Sequence, residues 1–140
     1  MIRHLLNSKG LWQNGLAIIR MITGAFLIYH STQALETADM EGFAKWLDDR
    51  HFPFPAFMAY AGKGAELLGG VCLVLGLFTR LATILLICTF SFITFVMGGG
   101  KIFTDAQHPF MFVLMALVFL FSGPGKWSLD ERFFNRSKTD

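Results

Sequence analysis

Two oppositely charged side chains lie one helical turn apart inside an apolar stretch of the chain. Lys63 and Glu66 belong to the segment AYAGKGAELLGG, and Arg20 interrupts a second apolar stretch. An isolated charge in such surroundings is costly, so charged side chains there turn inward and pair. We therefore expect a buried ion pair between Arg20 and Glu66, with Lys63 either a second partner of the carboxylate or snorkelling toward the outer surface. Two cations around one carboxylate favour its ionised form. The excess positive charge indicates a ligand-binding site.

Two histidines extend this polar set. His30 ends the first apolar stretch and His108 precedes the last one, so we expect them at similar depth, at the mouth of a funnel that leads to Lys63, Glu66 and Arg20. Imidazoles exchange protons near neutral pH and donate hydrogen bonds to a carbonyl or an anion. The alternative is architectural: each histidine bonds only at the membrane surface, and the ion pair only fixes how the helices pack.

Metal and thiol chemistry find little support in the sequence. Two histidines without a third ligand at short spacing do not predict a metal site. Cys72 and Cys88 do not form a C-x-x-C motif, and we expect them at different depths on different helices. The sequence therefore predicts two buried, apolar thiols and no disulfide.

The composition identifies the solvent that surrounds these residues. Hydrophobic residues make up 54% of the 140 residues, charged residues 16%, and the mean hydropathy is +0.51. These values are typical of a membrane protein. A net charge of +2 with scattered basic residues argues against a nucleic-acid partner.

Four segments are apolar enough to cross a bilayer, and together they predict one all-α membrane domain over residues 1–140, a four-transmembrane-helix bundle. The fourth segment is short. It either begins earlier, with Thr104 and Gln107 as a capping box, or begins at Pro109 as the first helical residue. The four predicted spans are Trp12–Leu35, Pro55–Phe78, Leu81–Met97 and Pro109–Ser122.

Basic residues give the expected orientation in the cell membrane. Four spans place both termini on one side, and the positive-inside rule makes the side richer in Lys and Arg cytoplasmic. The connection from Glu36 to Phe54 then lies outside, where its helical spacing of Phe43, Trp46 and Leu47 predicts a short amphipathic helix on the membrane surface. The terminal side carries Arg3, Lys9, Arg80, Lys126, Arg132, Arg136 and Lys138, and the other carries Lys45, Arg50 and Lys101.

Counting the helical rise places the charges at matched depth. From Pro55 at the outer end, Glu66 lies about 16 Å down, and from Trp12 at the inner end, Arg20 lies about 12 Å up. The two side chains are therefore predicted to meet near the midplane. Beside Glu66, glycines at heptad spacing indicate a smooth stripe against which another helix packs closely; they are Gly62, Gly69 and Gly76.

The tail that follows the last span ends in a short helix. Gly123, Pro124 and Gly125 terminate the span, Trp127 can anchor at the inner interface, and Ser128 forms a capping box with Glu131. We expect a short interfacial helix that presents Phe133 and Phe134 to the membrane.

Three stretches carry a family resemblance that covers nearly the whole chain. They are LAIIRMITGAFLIYHSTQAL, AYAGKGAELLGGVCLVLGLFTRLATILL and FLFSGPGKWSLDERFF. With their Glu-x-x-Gly-Gly, Gly-Leu-x-Thr-Arg and Gly-Pro-Gly-x-x-Ser-x-Asp elements in this order, the chain resembles the DoxX family of small four-helix membrane proteins. The positions that match the family are Arg20, His30, Glu66, Arg80 and the Gly123–Asp130 tail. Where many relatives have an acidic residue at the start of the fourth helix, this chain has His108.

The resemblance implies a link to membrane oxidoreductase systems, including thiosulfate oxidation coupled to quinone. The resulting hypothesis is a membrane subunit of a quinone-linked oxidoreductase, whose polar intramembrane site opens outward. That site, formed by Arg20, His30, Lys63, Glu66 and His108, would bind a quinone or a small sulfur oxyanion. The electrons would come from a redox partner protein or from the substrate. The alternative is a non-catalytic membrane scaffold or small-ligand-binding module with a structural ion pair.

Overall fold

The computed structural model describes residues 8–36 and 39–134. Arg3, Arg136 and Lys138, which were counted for the orientation, lie outside these residues. The described chain is helical and contains no strand. Its helices are α1 (Ser8–Glu36), α2 (Asp39–Asp49), α3 (Pro55–Leu75), α4 (Thr79–Phe92) with a π-helical turn at Ile93–Met97, α5 (Gln107–Ser122) and α6 (Leu129–Phe134).

Three of the described helical segments are long and apolar enough to cross a membrane: Trp12–Leu35, Pro55–Leu75 and Thr79–Met97. Helix α5 is apolar but shorter, with 16 residues. It begins at Gln107, after Ala106, and no side chain caps its first turn. Both predicted beginnings were therefore wrong. Pro109 is tolerated as the third helical residue because the backbone N–H groups of a first turn have no partner within the helix.

Helices α1 and α3 pack closely through a glycine contact that the sequence did not indicate. A Cβ atom added to Gly24 would lie 2.6 Å from the carbonyl oxygen of Gly70, so only glycine permits this backbone approach. The predicted stripe does not act as one surface. Gly69 lies against Leu86 of α4, whereas a Cβ atom on Gly62 would meet no atom within 4 Å, and Gly76 follows the end of α3 with φ +65°.

Helix α2 packs its apolar face onto the other helices. Met40 and Leu47 are buried and form a cluster with Ala59 of α3. Arg50 follows α2 and stacks over the Trp46 ring, 4.1 Å from its centroid. These contacts place α2 over one end of α3. A second and larger cluster fills the interior between α1, α3, α4 and α5: Leu16, Leu27, Leu73, Leu86, Phe90, Val113, Ala116 and Phe119.

Candidate functional site

The predicted contact between Lys63 and Glu66 is confirmed. Lys63 Nζ lies 2.9 Å from Glu66 Oε2, and the side chains are 12% and 1% exposed. Two groups of α1 approach the same oxygen: Ser31 Oγ donates a hydrogen bond of 3.5 Å, and His30 Nδ1 lies 3.6 Å away. The carboxylate is thus buried between α1 and α3, whereas His30 remains 56% exposed. These four residues form the Glu66 cluster.

The predicted pair between Arg20 and Glu66 was wrong. Arg20 is fully buried, but its guanidinium donates to the carbonyl oxygens of Pro124 (2.7 Å) and Trp127 (3.2 Å). Side chains in a helix lean toward the helix N-terminus. Because α1 and α3 are antiparallel, Arg20 and Glu66 lean away from each other.

The matched depths were also wrong, because the two helices differ in length. Ser31 lies opposite Glu66, and Gly24 lies opposite Gly70. Arg20 is eleven residues before Ser31, so it lies about 16 Å further toward the other end of the bundle. Helix α1 has 29 residues and α3 has 21. The N-terminal part of α1 extends beyond the C-terminal end of α3. Trp12, from which the depth of Arg20 was counted, therefore does not lie level with that end of α3.

Two cavities flank the Lys63–Glu66 pair. The first, which we name the His30 cavity, has a volume of about 440 Å³ and is lined by His30 and Lys63 together with Phe43, Trp46 and Ile93, among others. One histidine of the predicted funnel, His30, therefore lines a cavity together with Lys63. The second, the ring cavity, has a volume of about 170 Å³ and is lined by Phe43, Leu47, Met58, Gly62, Glu66, Thr89, Phe92 and Ile93.

His108 is not part of this arrangement. It is the second residue of α5, it is exposed, and it lines neither cavity. Similar depth in the membrane does not bring His30 and His108 together, because their helices have different neighbours. Helix α5, which carries His108, packs mainly on α4. Of the two histidines predicted to form the mouth of the funnel, His30 lines a cavity beside the Lys63–Glu66 pair and His108 does not.

The Gly123–Asp130 tail forms a second polar cluster at the opposite end of the bundle. The Asp130 carboxylate accepts hydrogen bonds from the backbone N–H groups of Phe78 (2.7 Å) and Thr79 (2.9 Å), where α4 begins. Its own N–H donates to the Gly76 carbonyl. Together with the bonds from Arg20, these contacts tie the tail to α1 and to the turn between α3 and α4. We name this set the tail clasp.

Sequence reasoning missed the role of Asp130, although its motif was recognised. The part of the predicted capping box that Ser128 contributes is confirmed, because Ser128 Oγ accepts a hydrogen bond from the Glu131 N–H at 3.1 Å. Arg80 lines a groove of about 730 Å³ beside the clasp, together with Lys126 and Asp130. The tail residues that match the family therefore have a structural role, and they lie far from the Glu66 cluster.

The chemistry of the Glu66 cluster is that of one cation and one anion with a neighbouring imidazole. Without Arg20, the charges of Lys63 and Glu66 balance. No group of three or more His, Cys, Asp and Glu that could hold a metal ion occurs within residues 8–36 and 39–134. Both cysteines are free. Cys72 is half-buried and Cys88 is exposed, so the prediction of a buried thiol was wrong for Cys88.

Comparisons with known proteins give the family. The DoxX family model matches residues 15–99. A protein of Haemophilus influenzae, named only "Uncharacterized protein", is 30% identical over 86% of this chain and 92% of its own length. A Bacillus subtilis protein named "Putative oxidoreductase CatD" is 27% identical over 89% of this chain and 90% of its own. No solved structure matches the chain. The match covers more than half of the chain, including the helices that carry the Lys63–Glu66 pair, and the chain therefore belongs to the DoxX family of membrane proteins.

Proposed function

We propose that this protein is a membrane subunit of a quinone-linked oxidoreductase and binds the quinone head group in the His30 cavity. The proposal includes α5 as a fourth membrane span, both termini in the cytoplasm, and the Glu66 cluster facing outward in the cell membrane. The observation that carries it is a buried Lys63–Glu66 pair beside a cavity of about 440 Å³. The oxidoreductase name of the Bacillus subtilis relative supports the same class.

The residues of the cavity suit a quinone head group. The Lys63 ammonium is a hydrogen-bond donor for a carbonyl oxygen, and Glu66 holds it in position at 2.9 Å. His30 is 56% exposed and lies 3.6 Å from Glu66, and in this role its imidazole relays protons between the outer surface and the cluster during quinone reduction. Phe43 and Trp46 provide aromatic walls for the ring. The electrons come from a partner protein or from a reduced substrate, because the proposed role of this chain is limited to binding the quinone.

The charge balance favours a quinone over a sulfur oxyanion. With Arg20 and Lys63 both beside Glu66, the site would have carried a net positive charge that attracts an anion. The structure places Arg20 in the tail clasp instead, so a buried oxyanion would face the Glu66 carboxylate with a single, already paired ammonium. Burying such an anion is unfavourable. A neutral ligand with a carbonyl acceptor avoids this penalty.

The second candidate function is a non-catalytic scaffold or ligand-binding module. The tail clasp favours it, because Arg20 and Asp130, two charged residues of the family-like set, bond to backbone groups of the chain itself. In that function the Lys63–Glu66 pair would likewise serve only packing.

Quinone binding to the purified protein in lipid nanodiscs distinguishes these functions. We expect a quinone to be extracted with the protein and ubiquinone-1 to bind saturably. Lys63→Met should weaken this binding at least tenfold, whereas the matched variant Lys101→Met, at a lysine that is 67% exposed and lines neither cavity, should not. Equal binding by both variants, or no saturable binding by the parent, would leave the scaffold function.

A further inference from the structure

The ring cavity differs from the His30 cavity in size and in its polar groups. Its volume is about 170 Å³, and it lies between α2, α3 and α4. An apolar protein cavity of about 150 Å³ binds a benzene ring. The walls of the ring cavity are mostly apolar and include two phenylalanines and a methionine, Phe43, Phe92 and Met58. Such walls favour an aromatic ligand, since rings and thioethers pack well on ring faces and edges.

The polar side chains that line this cavity can only accept hydrogen bonds. The contacts of the Glu66 carboxylate with Lys63, Ser31 and His30 are all made to Oε2, and Oε1 takes part in none of these three contacts. Thr89 Oγ1 donates its hydrogen to the Leu85 carbonyl at 2.9 Å and so remains only an acceptor. A ligand with a hydroxyl group can donate a hydrogen bond to these acceptors, whereas a ligand whose only polar groups are carbonyls cannot.

We propose that the ring cavity is a binding site for a single-ring phenol, whose hydroxyl group donates a hydrogen bond to the Glu66 carboxylate. The hydrogen bond to a buried carboxylate provides the selectivity, and the aromatic walls provide most of the contact area. A cationic ligand is disfavoured, because Lys63 already balances the charge of Glu66. The two cavities share Phe43 and Ile93 as lining residues, but phenol binding does not depend on the proposed quinone role, because it requires neither a donor for a ligand carbonyl nor electron transfer.

Gly62 keeps this volume open. It lines the ring cavity, yet a Cβ atom at this position would meet no atom within 4 Å. The Cβ atom of a larger side chain at position 62 is therefore accommodated without a clash, and the rest of that side chain is expected to occupy the cavity. Gly64 gives a matched control on the same helix, because its Cβ atom would also meet no atom within 4 Å and it does not line the cavity.

The test is binding of 4-fluorophenol to the purified full chain in nanodiscs, followed by fluorine NMR. We expect saturable binding to the parent protein and to Gly64→Leu, and at least tenfold weaker binding to Gly62→Leu. The methyl ether 4-fluoroanisole, which has the same ring but no donor, should bind the parent at least tenfold more weakly than the phenol.

Each alternative outcome overturns the proposal. Unchanged binding to Gly62→Leu would place the phenol elsewhere, and equal binding of phenol and ether would remove the role of the carboxylate. Absence of saturable binding to the parent protein would remove the site. If Gly62→Leu does not fold, the comparison of phenol with ether on the parent protein still decides. Ubiquinone-1 binding in the same nanodiscs is a separate readout, so failure of either site is recognised independently.

Discussion

Removing the charge of Glu66 tests the energetic role of the buried pair. In Glu66→Gln, the Lys63 ammonium keeps its buried position but loses the carboxylate at 2.9 Å. Breaking a buried pair from one side costs about 3–5 kcal/mol. Because the Lys63 side chain is 12% exposed and can gain some hydration, we expect the low end, about 3 kcal/mol. The double variant Glu66→Gln with Lys63→Met removes both charges and should recover about 2 kcal/mol of this loss.

Reversible unfolding in mixed detergent micelles gives the free energy of unfolding for the parent, both single variants and the double variant. The control cycle combines Glu66→Gln with Arg20→Leu. These side chains lie about 16 Å apart along the bundle, so their effects should add within about 0.5 kcal/mol. A coupling below about 0.5 kcal/mol between Lys63 and Glu66 would refute the importance of the pair. A larger coupling between Arg20 and Glu66 would refute the assignment of Arg20 to the tail clasp.

Further variants test the tail clasp and the packing of α1 on α3 through thermal unfolding. Asp130→Ala removes the acceptor of two backbone N–H groups at the start of α4 and should cost about 1–2 kcal/mol, as loss of a helix cap does; a melting temperature equal to that of the parent would contradict this role. Gly24→Ala places a Cβ atom 2.6 Å from the Gly70 carbonyl oxygen and should lower the melting temperature. Gly15→Ala, whose Cβ atom meets no atom within 4 Å, should add about 0.5–1 kcal/mol of stability; equal effects of the two changes would argue against the close contact.

Local patterns predicted the parts of the site that depend on one helix. Lys63 and Glu66 are three residues apart on α3, and helical geometry alone brings such residues together. The apolar lengths of the first three spans also agree with α1, α3 and α4 within a few residues, because bilayer thickness and hydropathy fix them. The same locality explains the cap formed by Ser128.

Contacts between distant segments were not accessible to the same reasoning. The position of Arg20 depends on how far α1 extends past α3 and on the direction in which its side chain leans. The bonds of Asp130 join residues about fifty positions apart, and no spacing rule connects them. The contact between Gly24 and Gly70 depends on the register of two helices, which a glycine pattern within α3 alone does not reveal.

The bonds of Arg20 have a consequence for the order of biosynthesis. Its acceptors, Pro124 and Trp127, follow it by 104 and 107 residues. At about 5–20 residues per second, the ribosome needs about 5–20 s to add them. During this interval a nascent α1 carries a guanidinium without these carbonyl partners, in a segment destined for lipid. We therefore expect α1 to settle into its final position only after the tail has been made, and protease protection of ribosome-bound chains stalled before and after residue 127 would show whether it does.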